Sequence, residues 1–68
     1  MAENVFSISE IAGTSSESVE RAIENAIARA RQTIRNLEWF QVEEVRGAIA
    51  GDSIEYQVAL KVGFKLEA

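Results

Sequence analysis

The chain is expected to fold as an α+β domain: a β-α-β-β chain with one amphipathic helix on a three-stranded antiparallel sheet of order 1-3-2. Three observations carry this. Residues 54–66 alternate without a break, with Ile54, Tyr56, Val58, Leu60, Val62, Phe64 and Leu66 against Glu55, Gln57, Ala59, Lys61, Gly63 and Lys65. That is the period of a strand with one buried face. Apolar residues at Val19, Ala22, Ile23, Ala26, Ile27, Ala30, Ile34 and Leu37 recur at intervals of three and four, which draws one stripe along a helix. Shorter strand-like segments, 5–12 and 39–49, flank that helix. The most regular strand is the natural centre. The first and second strands then lie parallel to each other across it, joined by the helix as a right-handed crossover.

Each element has its own signals. In the first strand Phe6 and Ile8 alternate with Ser7 and Ser9, and Ile11 breaks the phase. A bulge or an early exit from the sheet near Glu10 would account for the break. Gly13 allows a sharp change of direction. Thr14 and Glu17 have the spacing of a capping box, so a helix is expected to start there and run to about residue 36. Its first half carries Glu17, Glu20 and Glu24 and its second half Arg29, Arg31 and Arg35, an order that suits the helix dipole. The many alanines of the stripe allow a neighbouring backbone to come close.

In the second strand Phe40 and Val42 point one way, and Trp39, Gln41, Glu43 and Val45 the other. If Phe40 and Val42 face the helix, Trp39 lies on the opposite face of the sheet. A monomer of this size has nothing left to cover that face. Ala50-Gly51-Asp52-Ser53 reads as a hairpin loop of about four residues.

Composition narrows the possibilities. Sixty-eight residues with 47% hydrophobic content and a net charge of −4 make one globular domain spanning 1–68. A chain this short buries only about 60% of the surface its unfolded form exposes, so small folds recruit disulfides, metals or other copies of themselves. Cysteine and histidine are both absent, which removes disulfides and the usual transition-metal sites. Oligomerisation is the remaining staple. No apolar run approaches the roughly 20 residues that span a bilayer. No signal peptide is visible at Met1-Ala2-Glu3-Asn4, so a cytoplasmic protein without a membrane partner is expected. The acidic balance argues against nucleic acid, which needs a basic field.

Catalysis finds little support, and the chain is read as a binding protein and not an enzyme. Ser15, Ser16 and Ser18 are accounted for by the helix start. Glu43 and Glu44 are adjacent, so on a regular strand they face opposite ways. Trp39 and Gln57 share a face of the hairpin by parity. The indole offers a large π-face, and the amide offers both a donor and an acceptor. A flat heterocycle with alternating C=O and N–H groups on one edge would suit them. An interface anchor at Trp39 with a solvated Gln57 is the other reading. Arg46 is either a bidentate partner for a ligand phosphate or half of an ion pair between subunits.

Taken in order, several short motifs resemble the dodecins, a family of small flavin-binding proteins. They are Gly13-Thr14-Ser15, Ala28-Arg29-Ala30, Leu37-Glu38-Trp39-Phe40, Val45-Arg46-Gly47, Tyr56-Gln57-Val58 and Val62-Gly63-Phe64. Their spacing covers nearly the whole chain and looks most like the bacterial branch. The resemblance implies a sheet that wraps the helix, and twelve copies in a hollow shell of cubic symmetry. It implies paired flavins near a two-fold axis, sandwiched between tryptophans at the position of Trp39, with Gln57 on the isoalloxazine edge. Arg46 matches a basic position linked to the FMN phosphate. Glu44 matches an acidic position that touches the ribityl chain in archaeal members. Lys65 stands where close bacterial relatives often carry arginine, a position tied to phosphate or coenzyme A. The implied ligand is FMN, with riboflavin and lumichrome as alternatives and coenzyme A as a possible second ligand. The implied function is flavin storage and quenching of flavin photochemistry. A structural oligomeric module without ligand, or a flavin-dependent redox enzyme, are the competing readings.

Overall fold

A computed structural model describes residues 3–67. Met1, Ala2 and Ala68 lie outside the described residues, and with them part of the N-terminal reading. Four elements follow one another: β1 (Phe6–Ser15), α1 (Val19–Ala30), β2 (Leu37–Ala50) and β3 (Ser53–Lys65). The sheet has the order β1-β3-β2, and both pairings are antiparallel. Strand β3 is central, as its unbroken alternation requires.

Strand β1 is longer than its sequence signals. It pairs with β3 from Phe6 opposite Lys65 to Ser15 opposite Tyr56 without a shift of register. The phase break at Ile11 is therefore neither a bulge nor an exit. The strand changes which face is apolar. Phe6 and Ile8 lie on the outer face, whereas Ile11, Gly13 and Ser15 lie on the helix face opposite Leu60, Val58 and Tyr56. Gly13 serves close approach rather than a turn. A Cβ there would overlap the Ala22 carbonyl oxygen and come within 2.8 Å of the Ala26 Cβ. The chain stays extended through this contact, so Thr14 is still in the strand and the expected capping box does not form. Ser15 Oγ instead accepts from the Glu17 N–H at 2.9 Å. Ser18 is the N-cap, its Oγ accepting from the Arg21 N–H at 3.0 Å.

Helix α1 ends at Ala30, well before residue 36. The chain then tightens, with the Gln32 and Thr33 N–H groups donating to the Arg29 and Ala30 carbonyls, each three residues back. Asn36 adopts φ 63°, the left-handed conformation that asparagine tolerates better than most residues, and the chain enters β2. Ala22, Ala26 and Ala30 are buried on the helix side, and Val58, Leu60 and Val62 are almost fully buried in the sheet. Burial of each of these valine and leucine side chains contributes about 1.5–3 kcal/mol, and each alanine methyl less.

The helix packs on β1 and β3 and leaves β2 open. Phe40 and Val45 lie on the helix side of the sheet but remain 48% and 52% exposed. The molecule measures 54 × 21 × 14 Å with a radius of gyration of 14.2 Å, against about 11 Å for a compact chain of this length. The β2–β3 hairpin makes the excess. Its turn is tighter than expected, because Ala50 and Ser53 still pair across Gly51-Asp52. Gly51 has φ +59°, as a two-residue hairpin turn with glycine first requires.

Strand β2 carries a register shift between Val42 and Glu44, which leaves Glu43 as an extra residue. This corrects the simple alternation. Val45 lies opposite Val58 on the helix side, while Glu44 and Arg46 lie opposite Ala59 and Gln57 on the outer face. The two adjacent glutamates do not point apart as on a regular strand. Glu43 reaches Lys61 Nζ at 3.5 Å and Glu44 reaches Arg46 at 2.8 Å, both on the outer face.

Candidate functional site

The outer face of the sheet carries every residue singled out for ligand contact. At one end, Trp39 is paired across the ladder with Gly63. The indole lies over the glycine. A Cβ at position 63 would overlap Trp39 Cε2 and Cζ2 and stand 2.6 Å from Nε1. Phe6, on the far side of β3, meets the indole edge-on, with ring centroids 6.3 Å apart and planes at 62°. One side of the indole is thus closed by backbone and its edge by a second ring. Trp39 nevertheless keeps 39% of its surface exposed.

Toward the hairpin end, Glu44, Arg46 and Gln57 form a connected group. Arg46 Nε donates to Gln57 Oε1 at 3.0 Å, and Arg46 Nη1 donates to Glu44 Oε1 at 2.8 Å. Glu44 and Arg46 are more than half exposed, so this ion pair adds little to stability. It orders the side chains more than it holds the fold.

These two groups are not adjacent in one chain. Gly63, beneath Trp39, and Gln57, beside Arg46, are six residues apart on β3, which is about 20 Å of strand. Lys65 sits at the Trp39 end. It is paired with Phe6 and tied by its backbone N–H to the Asn36 carbonyl at 3.0 Å. Along β3 it lies about 27 Å from Gln57, so Lys65 and Arg46 of one chain cannot meet a single phosphate. Gly63 and Phe6 escaped the reading of site residues. A glycine inside an otherwise clean strand signals that something approaches closely, and that signal was present.

The dodecin family model matches residues 5–67. The chain belongs to the dodecin family. Dodecins are small oligomeric flavin-binding proteins. A curated dodecin from Thermus thermophilus is 53% identical over 64 residues, which cover 93% of each chain. A crystal structure of a Thermus thermophilus protein superposes with a TM-score of 0.92 at 51% identity, covering 97% of this chain and 98% of the other. The dodecin of Streptomyces davaonensis gives 0.93 at 46% identity, covering 98% and 100%. The β-α-β-β order and the 1-3-2 sheet are thus those of solved dodecins. Among the described residues no helix is long and apolar enough to cross a membrane.

The residues of this dodecin fit a flat aromatic ligand. The indole is backed by a backbone that has no side chain to hold it away, and its remaining surface is free to stack. The amide and guanidinium that would read a polar edge are prearranged on the same face of the sheet.

Proposed function

We propose that this dodecin binds flavin, FMN foremost, as a cytoplasmic homododecamer that stores the cofactor and quenches its photochemistry without turning over a substrate. The observation that carries this reading is Trp39, seated on Gly63 and still open to a stacking partner. Stacking on such a ring contributes about 0.5–1.5 kcal/mol beyond the area buried.

A tricyclic ring is shorter than the roughly 20 Å of strand between the Trp39 and Gln57 positions. A site using both therefore draws them from different copies. Assembly also gives the uncovered apolar residues of β2 a place to go. In the assembled site Trp39 clamps the ring and Gln57 fixes its edge. Arg46 has N–H groups to spare for the phosphate, and Glu44 stands beside it, within reach of the ribityl chain. Lys65 lies at the Trp39 end, where a second phosphate ligand such as coenzyme A would meet it. Riboflavin and lumichrome, which lack the phosphate, remain ligands of the same ring site. A free flavin supplies light-driven redox chemistry, and a stacked indole is an electron donor that suppresses it.

The test is a fluorescence titration of FMN into flavin-free protein, with the particle size measured in parallel. Quenching that saturates on a particle of about twelve chain masses supports the proposal. Trp39→Ala should abolish most of that quenching, and if it quenches as well as the wild type, the clamp is wrong. A colourless assembly that takes up no flavin would favour a purely structural module.

A further inference from the structure

We propose that Arg46 is a positioning residue for the Gln57 amide, and that through it the protein reads the edge of a flavin ring independently of any phosphate. The inference rests on the flavin reading above. Arginine has only donors. Its Nε lies 3.0 Å from the Gln57 side chain, so the end of the amide that faces it has to be the oxygen. The guanidinium is itself held from its other side by Glu44, at 2.8 Å. Glu44 and Arg46 are alternate residues on one face of β2, and Gln57 stands directly opposite Arg46 in register. The sheet thus builds a row, carboxylate to guanidinium to amide, from three residues whose places the ladder sets.

The consequence concerns the order of donor and acceptor. The terminal torsion of a free glutamine is broad and roughly two-fold, so its O and NH2 ends exchange places freely. A ligand edge of alternating C=O and N–H groups would then meet the correct order only part of the time. The bond from Arg46 removes the exchange. It turns the NH2 donors away from the guanidinium and leaves the second lone pair of Oε1 available. A charged donor on the oxygen also polarises the amide and strengthens its N–H groups as donors. Arg46 keeps further N–H groups for a phosphate, so the two roles can coexist. They separate by ligand, because lumichrome has the ring edge and no phosphate.

The experiment measures lumichrome, riboflavin and FMN affinities by fluorescence quenching, for the wild type and for Arg46→Ala, Arg46→Lys and Gln57→Glu. The infrared carbonyl bands of bound lumichrome are recorded as well. Arg46→Ala should weaken lumichrome about tenfold, the scale of one charge-assisted hydrogen bond, and its carbonyl bands should move toward the frequency of the unbonded group. Arg46→Lys keeps the charge but not the fork. It should restore part of any loss specific to FMN and leave lumichrome weak, and it carries the test should the alanine variant fail to assemble. Gln57→Glu keeps an oxygen toward Arg46 and loses the NH2 donors, so it should weaken all three ligands. If lumichrome affinity and its carbonyl bands are unchanged in both Arg46 variants, with loss confined to FMN, the inference falls and the flavin reading stands. If the wild type binds none of the three, both fall.

Discussion

The indole of Trp39 occupies the space that a side chain at position 63 would fill. Gly63→Ala therefore forces the ring off its seat. Overpacking of this kind typically costs about 1–3 kcal/mol. The larger effect should be on the ligand, with FMN quenching reduced toward the level of Trp39→Ala while the assembly persists. Flavin titration beside gel filtration checks both parts.

Gly13 makes the opposite kind of contact. Its added Cβ would meet the Ala22 carbonyl in the helix backbone, which cannot swing aside as a side chain can. Gly13→Ala should destabilise the fold by about 2 kcal/mol or more, read as a lower urea midpoint. Gly51→Ala meets nothing within 4 Å and suffers only from its φ of +59°. Its cost should be about 1–2 kcal/mol.

The helix start can be tested directly. Ser18→Ala removes the N-cap oxygen that accepts from Arg21 and should cost about 1 kcal/mol. Thr14→Ala should change stability by less than about 0.5 kcal/mol, the usual range for an exposed substitution away from caps and core. Equal losses at the two positions would restore the capping box that the spacing of Thr14 and Glu17 implied.

Ile49 is 85% exposed near the tip of the hairpin. If the hairpin is covered by another copy, Ile49→Asp places a charge in an apolar junction. The particle should then shrink toward smaller oligomers in gel filtration or ultracentrifugation. An unchanged particle would place the junction elsewhere on the sheet.

The architecture was readable because the longest elements carry the cleanest periods. The alternation around Val58, Leu60 and Val62 identifies the central strand, and the alanine stripe identifies the helix that lies on it. Trp39 is on the outer face, where parity puts it. What parity could not deliver was the relation between distant residues. Trp39 and Gln57 do share a face, but their pairing partners show them to be far apart along it. The helix end at Ala30, with its backbone bonds reaching three residues back, and the left-handed turn at Asn36 that leads into β2 are announced by no hydrophobic pattern. The change of apolar face in β1 looked like a defect at Ile11, because both faces of one strand are used for packing. Glu43 gave no local sign of being an extra residue, since a charged residue in an exposed strand fits either register.

That one extra residue acts as a phase shifter. Trp39 and Arg46 are an odd number of positions apart, and on an uninterrupted strand they would project through opposite sides of the sheet. With Glu43 set aside by the ladder, they come out on the same side, and Phe40, Val42 and Val45 stay together on the other. Pairing Glu43 into the ladder as an ordinary residue, with none set aside, would leave Trp39 where it is and exchange the exits of Arg46 and Val45. The strand would still look well formed, with its ring-stacking end and its polar end in different reading frames.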